Sequence, residues 1–430
     1  MSSEKLILAI NAGSSSVKLS LYSSTSPPGP GDALAPKLIL ESSISSLTSP
    51  PAVFKYTHAS PSSSSSNVDS EQLPDIKSQE NAFKHFLDCL FSDSELKQVC
   101  SGEDIAFACH RIVHGGDFDK PIVLGEESLD HLKELTDLAP LHNAPALSLV
   151  YTTFKHLPTT KNIAFFDTTF HTLSLPEHIR TYPLDPDHAR QHKIRKYGFH
   201  GISYAFIVRE VAAYLNKPIE ETNIIALHLG SGASACAICN GKSIDTSMGL
   251  TPLEGLPGAT RSGTVDPSLV FHYTTHASNL TQDDPHISKA EEILNKHSGW
   301  ASLTGTPDFA ALTSPSPPPN AALAFALFVD RITNLVAAYF VKLRGQVDAL
   351  VFAGGVGERS WQLREAVVDA VACLGFEVRR EDNKGVSERR EVVAAVGGGS
   401  GCAEVLVCRT DEAREMARGC VVERRFWGDM

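Results

Sequence analysis

NAGSSSVK, residues 11–18, interrupts an apolar run near the start of the chain. Before it stands Leu6-Ile7-Leu8-Ala9-Ile10, an apolar stretch of strand length. After it Val17, Leu19 and Leu21 alternate with Lys18, Ser20 and Tyr22, the two-residue period of a half-buried strand. The stretch therefore sits at the turn of a hairpin. It lacks the GxxxxGK[ST] pattern, whose loop runs directly into a helix. Three consecutive hydroxyls, an Asn and a Lys exceed what a turn needs. On local sequence alone, a plain polar turn and a phosphate-binding loop both fit.

A second stretch repeats the plan. NIIALHLGSGASACAICNGKSID, from residue 223, again reads as apolar strand, glycine-and-serine turn and alternating strand. Two copies suggest two similar halves, each offering a turn of backbone N–H groups to a cleft between them. Two unrelated hairpins remain the simpler alternative.

The 430 residues suggest roughly two to four domains, and a 42% hydrophobic fraction is ample for packed cores. A net charge of −12 argues against generic nucleic-acid or anionic-membrane binding. An anionic substrate would need Arg, Lys and His gathered locally. The nine cysteines are scattered. Cys236 and Cys239 have CxxC spacing, but they lie in a strand-like run without the second pair that a metal site usually needs. They read as reduced thiols in a cytoplasmic protein. No signal peptide precedes the first strand. In the apolar segment from Ala321, Asp330, Arg331 and Asn334 stop short of a membrane span, so a buried helix is expected.

Residues 23–80 are rich in Ser and Pro and read as loops or inserts between short strands. NAFKHFLDCLF has helical spacing, and EDIAFACHRIVHGG reads as a strand entering a glycine turn. The stretch from Ser128 to Phe154 reads as helix, loop, helix, and NIAFFDTTFH as a strand ending in a polar cluster. VDALVFAGGVGERSWQLREAVVDAVACLGFEV reads as strand, glycine loop, helix; VGGGSG, 396–401, as a surface loop; and DEAREMAR as a final helix.

Eight motifs, ILAINAGSSSVK, HRIVHGG, LAPLHN, FFDTTFH, RKYGFHGIS, HLGSGAS, DTSMGLTPLEGLPGATRSGTVDP and FAGGVGE, occur in the order found in acetate kinases. The chain resembles that family from about residue 5 to 420, weakly in 23–75, 275–290 and 385–403. The resemblance implies an α/β fold of the acetate/sugar kinase and actin-like (ribonuclease H-like) class, with duplicated βββαβαβα cores and an interdomain cleft. It implies a first domain at 1–168 with the Ser/Pro insert, a second at 169–405 for nucleotide binding and dimerisation, and a C-terminal helix, 406–430, returning to the first. It further implies a homodimer and reversible transfer between ATP and acetate, giving ADP and acetyl phosphate, with Mg²⁺ or Mn²⁺.

It carries roles residue by residue. Asn11 and Glu412 would lie at the metal. Ser14, Ser16, Lys18 and the turn His228, Leu229, Gly230, Ser231 and Gly232 would meet the donor phosphates. Asp308, Gly354, Gly355, Val356, Gly357 and Arg359 would lie near the nucleotide, Gly355 leaving room for adenosine. Arg111 would bind the acetate carboxylate, and Val113, Leu141, Phe199 and Pro252 would line its methyl pocket. His200 and Arg261 would stabilise the transferring group, and Asp167 would be an active-site acid. His114, His142 and His171 read as supporting or structural. Ser231 replaces the family's usual Asn, Ala310 its usual Arg and Arg359 its usual Asn. All three changes bear on the donor side.

The chemistry suits these residue types. A carboxylate acceptor has a pKa near 4 and arrives ionised, so no general base is needed. Bringing it to ATP is the obstacle: two like charges 4 Å apart cost about 4 kcal/mol at an effective dielectric near 20. Arg forks, a His donor, backbone turns and a metal relieve that repulsion. A propionate or butyrate kinase, a pyrophosphate donor and a non-catalytic nucleotide-dependent clamp are the alternatives.

Overall fold

A computed structural model describes residues 4–13, 15–25, 36–60, 67–136, 140–273, 288–398 and 403–428. It divides into two compact units, Met1–Thr169 with Asp411–Met430, and Phe170–Thr410.

The first unit holds strands β1 (Lys5–Ala12), β2 (Val17–Ser24), β3 (Lys37–Ser45), β4 (Ala52–His58), β5 (Val68–Leu73), β6 (Ile105–Ile112), β7 (Ile122–Val123) and β8 (Lys161–Phe166). They form one sheet in the order β5-β4-β3-β2-β1-β6-β8-β7. The second unit holds β9 (Ile224–Leu229), β10 (Ala233–Cys239), β11 (Lys242–Thr246), β12 (Ala349–Ala353), β13 (Val393–Gly397) and β14 (Glu404–Cys408). Their order is β11-β10-β9-β12-β14-β13.

The repeated sequence plan is a repeated topology. In the first sheet, β3–β2 and β2–β1 are antiparallel, and β1–β6 and β6–β8 are parallel. The second sheet has the same succession in β11–β10, β10–β9, β9–β12 and β12–β14. Each sheet ends on an antiparallel edge strand, β7 or β13. NAGSSSVK joins β1 to β2, and the turn at 230–232 joins β9 to β10 at the same place in the second copy.

Alternation along β9 and β10 feeds two cores. Ile225, Leu227, Leu229, Ala233, Ala235 and Ala237 pack with the helix Ala321–Lys342. Ile224, Ala226, Cys236 and Ile238 pack with the helix Gly201–Tyr214. Cys236 and Cys239 thus project to opposite faces, as residues three apart on a strand must. The CxxC spacing cannot close around a metal.

The Ser/Pro-rich region holds short strands, as expected; they are β3, β4 and β5, paired in the first sheet, and residues 26–35 and 61–66 lie outside the described part. The structure corrects other expectations. The helix Ala321–Lys342 is long and apolar enough to cross a membrane by length and composition. It is not enclosed, however. Its buried stripe, Ala321, Ala324, Phe328, Ile332, Val336 and Tyr339, follows the three-and-four spacing of one helix face, while Leu323 and Val341 are exposed. Val396 and Gly397 belong to β13 rather than to a surface loop, and residues 399–402 lie outside the described part.

GGVGER is a short helix, Gly354–Arg359, rather than a glycine loop. Gly354 has φ +73°, and a Cβ there would stand 2.7 Å from the Leu229 carbonyl oxygen. Both the left-handed backbone and the closeness of β9 demand glycine. Gly354→Ala is expected to lower stability by about 1–3 kcal/mol in urea unfolding.

Candidate active site

In the first unit the sheet gathers a set of polar side chains. Asn11, at the end of β1, stands directly opposite Lys18 on β2. Arg111 lies near the end of β6, beside β1, and Asp167 directly follows β8. Glu412 opens the helix Glu412–Val422, capped by Asp411, whose side chain accepts from the Arg414 backbone N–H. The carboxyl ends of neighbouring parallel strands thus deliver their side chains to one place.

Arg111 organises the set. Its Nε and Nη2 donate to Asp167 Oδ1 and Oδ2 at 3.1 and 2.7 Å. Nη1 donates to Asn11 Oδ1 at 3.3 Å, and Asn11 Nδ2 donates to Glu412 Oε2 at 2.9 Å. Glu412 Oε2 also lies 3.4 Å from Arg111 Nε. Burial disfavours the guanidinium's charge, but the Asp167 and Glu412 carboxylates outweigh it and hold the pKa above its ordinary value. Three of its five N–H groups are engaged among the described residues, one of the two on each terminal nitrogen being among them. Asp167 is fully buried and grips this fork. That is a positioning contact, with both carboxylate oxygens accepting from the guanidinium.

Oxygen atoms of Asn11 and Glu412 are hard donors of the kind Mg²⁺ prefers. No group of three or more His, Cys, Asp or Glu able to hold a metal occurs among the described residues. The pair suits an ion that takes one or two protein oxygens and completes its shell with water and phosphates.

The turn between β1 and β2 is closed by Gly13 N–H donating to the Ser16 carbonyl at 2.8 Å, and Gln79 Nε2 donates to the Gly13 carbonyl at 2.6 Å. Lys18 is exposed. Ser14 and the side chains of Leu141 and His142 lie outside the described residues. Val113, half-buried, follows Arg111 by two positions. His114 accepts the Gly116 N–H on Nδ1, and its backbone exchanges two bonds with the Asn143 side chain.

The second unit builds a different surface. Gly230 N–H donates to the Gly232 carbonyl at 3.0 Å, closing the turn, and Ala259 N–H donates to the Ser231 carbonyl at 2.8 Å. This seats the segment 258–261 on the turn. Arg261 Nη1 would lie 2.8 Å from a Cβ at Gly232, so the guanidinium rests against the glycine turn. The same nitrogen donates to the Pro252 carbonyl at 3.4 Å. Phe199 and Pro252 are buried.

His200 caps the helix Gly201–Tyr214 with φ +57°, a left-handed conformation that non-glycine residues seldom adopt. Its Nδ1 lies 2.8 Å from Ser234 Oγ, and its ring is 4.1 Å from that of His228 on β9. His171 fixes the preceding carbonyl. Burial pushes this imidazole down to about 4, so the ring is neutral. Its Nε2 donates to the Phe199 carbonyl at 3.0 Å, and its Nδ1 accepts from Ser243 Oγ at 2.8 Å.

On β12 Ala353 stands beside His228, so Gly354 starts its helix next to the turn. Arg359 folds back: its Nε donates to the Gly355 carbonyl at 2.9 Å, and its Nη2 would be 2.6 Å from a Cβ at Gly355. The space expected above Gly355 is therefore covered by Arg359. Asp308 is exposed and caps a 3₁₀ turn by accepting from the Ala310 N–H at 3.0 Å. Sequence reading missed Arg364, a fully buried cation that burial pushes down to about 10. It donates to the carbonyls of Gly357, Glu358 and Asn383 and to Asn383 Oδ1, bracing the glycine-rich helix. A lone Arg in a helical pattern gives no hint of such burial.

Duplicated sheets of this topology, each with a glycine turn between two adjacent antiparallel strands, are the two-domain α/β arrangement of the acetate kinase and actin-like fold class. The Acetokinase family matches residues 6–418. A protein named probable acetate kinase from Emericella nidulans is 52% identical over 423 residues, covering 97% of each chain. One from Neurospora crassa is 48% identical over 457 residues, covering 99% of this chain and 95% of the other. Among solved structures, Porphyromonas gingivalis acetate kinase aligns with TM-score 0.76 at 31% identity, and a propionate kinase from Francisella tularensis with 0.78 at 30%. Both alignments cover 96% of this chain and 98% of the other. The chain belongs to the acetokinase family.

Proposed function

We propose that this chain transfers the γ-phosphoryl group of ATP reversibly to acetate, giving ADP and acetyl phosphate by direct attack of the carboxylate. The observation that carries the reading is the Arg111 fork, held on one edge by Asp167 and retaining a donor on each terminal nitrogen. Such a fork suits a planar anion. Arg111 would bind and orient the acceptor, with Val113, Leu141, Phe199 and Pro252 around its methyl group. His200 and Arg261 would donate to the equatorial oxygens of the transferring group as charge shifts toward the leaving oxygen. The turns at 13–18 and 228–232 would offer donors to the other phosphates. Asn11 and Glu412 would hold Mg²⁺, which supplies neutralisation of phosphate charge when bound.

The donor side differs from the usual family pattern at Ser231, Ala310 and Arg359, and Arg359 overlies Gly355. ATP remains the donor in this reading, since Arg359 is the movable end of a flexible side chain. A cytoplasmic homodimer completes the proposal. The test traps acyl phosphate with hydroxylamine from Mg-ATP and each of acetate, propionate and butyrate. Acetate is expected to give the highest kcat/KM. No hydroxamate with any of them would favour a nucleotide-dependent clamp, and product with pyrophosphate alone would reassign the donor.

A further inference from the structure

His200 is bonded through one ring nitrogen to a hydroxyl that has a second hydroxyl behind it. Ser234 Oγ lies 2.8 Å from His200 Nδ1 and 2.5 Å from Tyr204 Oη. The fold makes this chain of contacts directly. Tyr204 stands one turn into the helix that His200 caps, its backbone N–H donating to the His200 carbonyl at 2.9 Å. Ser234 is the cross-strand partner of His228, whose ring lies against that of His200. Ser234 and Tyr204 are both fully buried.

Buried hydroxyl protons require acceptors, and here they can be counted. The Tyr204 oxygen also bonds to the His228 backbone, and burial pushes its phenol well above the ordinary value, so it keeps its proton. If Nδ1 is bare, Tyr204 O–H donates to Ser234 Oγ and Ser234 O–H donates to Nδ1; every proton is placed. If Nδ1 carries a proton, that proton and two hydroxyl protons compete for two oxygens. Within this chain of contacts one hydroxyl then has no acceptor among the described residues.

We propose that Ser234 and Tyr204 are positioning residues that fix His200 as the Nε2–H tautomer, so that a neutral ring offers one N–H to the transferring phosphoryl group. The role given to that N–H rests on the reading of His200 above; the tautomer does not. A neutral donor suits a reversible kinase. It stabilises charge on the equatorial oxygens without surrendering a proton to them, in either direction. The left-handed backbone of His200 is then the strain that aims the ring along this chain.

The test uses the full-length protein labelled with ¹⁵N-histidine, the His200 signals being assigned by their loss in His200→Gln. At pH 7.5 the expected spectrum has a proton on Nε2 and a bare, hydrogen-bonded Nδ1. Ser234→Ala should move the Nδ1 signal toward that of an unbonded ring nitrogen. It should also lower kcat roughly tenfold, with the acetate KM within about twofold. Tyr204→Phe removes the proton that obliges Ser234 to donate, so the two ring signals should move toward their tautomer average. Either variant suffices if the other fails to fold. A proton on Nδ1 in the parent protein, or ring signals unmoved in both variants, would overturn the proposal. Parental kcat in His200→Gln together with the expected spectra would keep the tautomer assignment and remove the ring from the chemistry.

Discussion

Arg111→Ala is expected to raise the acetate KM roughly 30- to 150-fold, the cost of losing charge-assisted hydrogen bonds to a carboxylate. The ATP KM should change far less. The two effects separate because, in the proposed reaction, the donors Arg111 keeps are offered to the acceptor and not to the phosphates. Asp167 and Asn11 hold Arg111, and its remaining donors project from the terminal nitrogens. Arg111→Lys is the informative companion. It keeps a cation beside Asp167 and Glu412 but not a planar pair of donors. Recovery of most of the lost acetate affinity by Lys would mean that charge alone anchors the acceptor. Little recovery is expected, because the fork's geometry is what Asp167 fixes. Initial rates over a matrix of acetate and ATP concentrations give both constants. Unchanged KM values in Arg111→Ala would remove this residue from the acceptor site.

Arg261→Ala is expected to lower kcat about 10³-fold, with the acetate KM within a fewfold. Arg261 is held differently from Arg111. Its backbone is seated on the glycine turn through Ala259 and Ser231, and its guanidinium rests against Gly232. In the proposed reaction this cation stabilises charge on the phosphate oxygens rather than binding the acceptor. An interaction that strengthens in the transition state appears in kcat. Stopped assays with saturating acetate and Mg-ATP measure the loss. A large rise in the acetate KM at unchanged kcat would instead place Arg261 in ground-state binding. A double variant lacking Arg111 and Arg261 distinguishes the roles further, because independent contributions should multiply in kcat/KM.

The sequence showed the architecture where local pattern and tertiary demand agree. The hairpins around Gly13 and Gly230 alternate cleanly, and their flanking apolar runs became the central strands β1 and β9. What local pattern hides is long-range pairing. Short strands were expected among the Ser and Pro of 23–80, but not the pairing of β3 to β5 that buries Leu40, Ile44, Phe54 and Tyr56. GGVGER reads as loop because glycine is a poor helix former, yet Leu229 crowds Gly354 so closely that only glycine fits. The same limit applies to the site. Arg111, Asp167, Asn11 and Glu412 could be named through motifs, but their mutual bonds span 56 to 401 positions of sequence. Arg359 covering Gly355, Arg364 beneath the glycine-rich helix and Ser234 behind His200 depend on side-chain direction, which spacing does not encode.

The proposed reaction is a single displacement, in which the carboxylate would attack phosphorus directly while cationic side chains offset the repulsion between two anions. Direct attack inverts the configuration at phosphorus, and a route through a phosphorylated side chain, being two displacements, retains it. The stereochemical course with γ-phosphoryl ATP made chiral by oxygen isotopes reads this out in one measurement. Inversion is the predicted result. Retention would contradict it, because it would require a covalent phosphoenzyme.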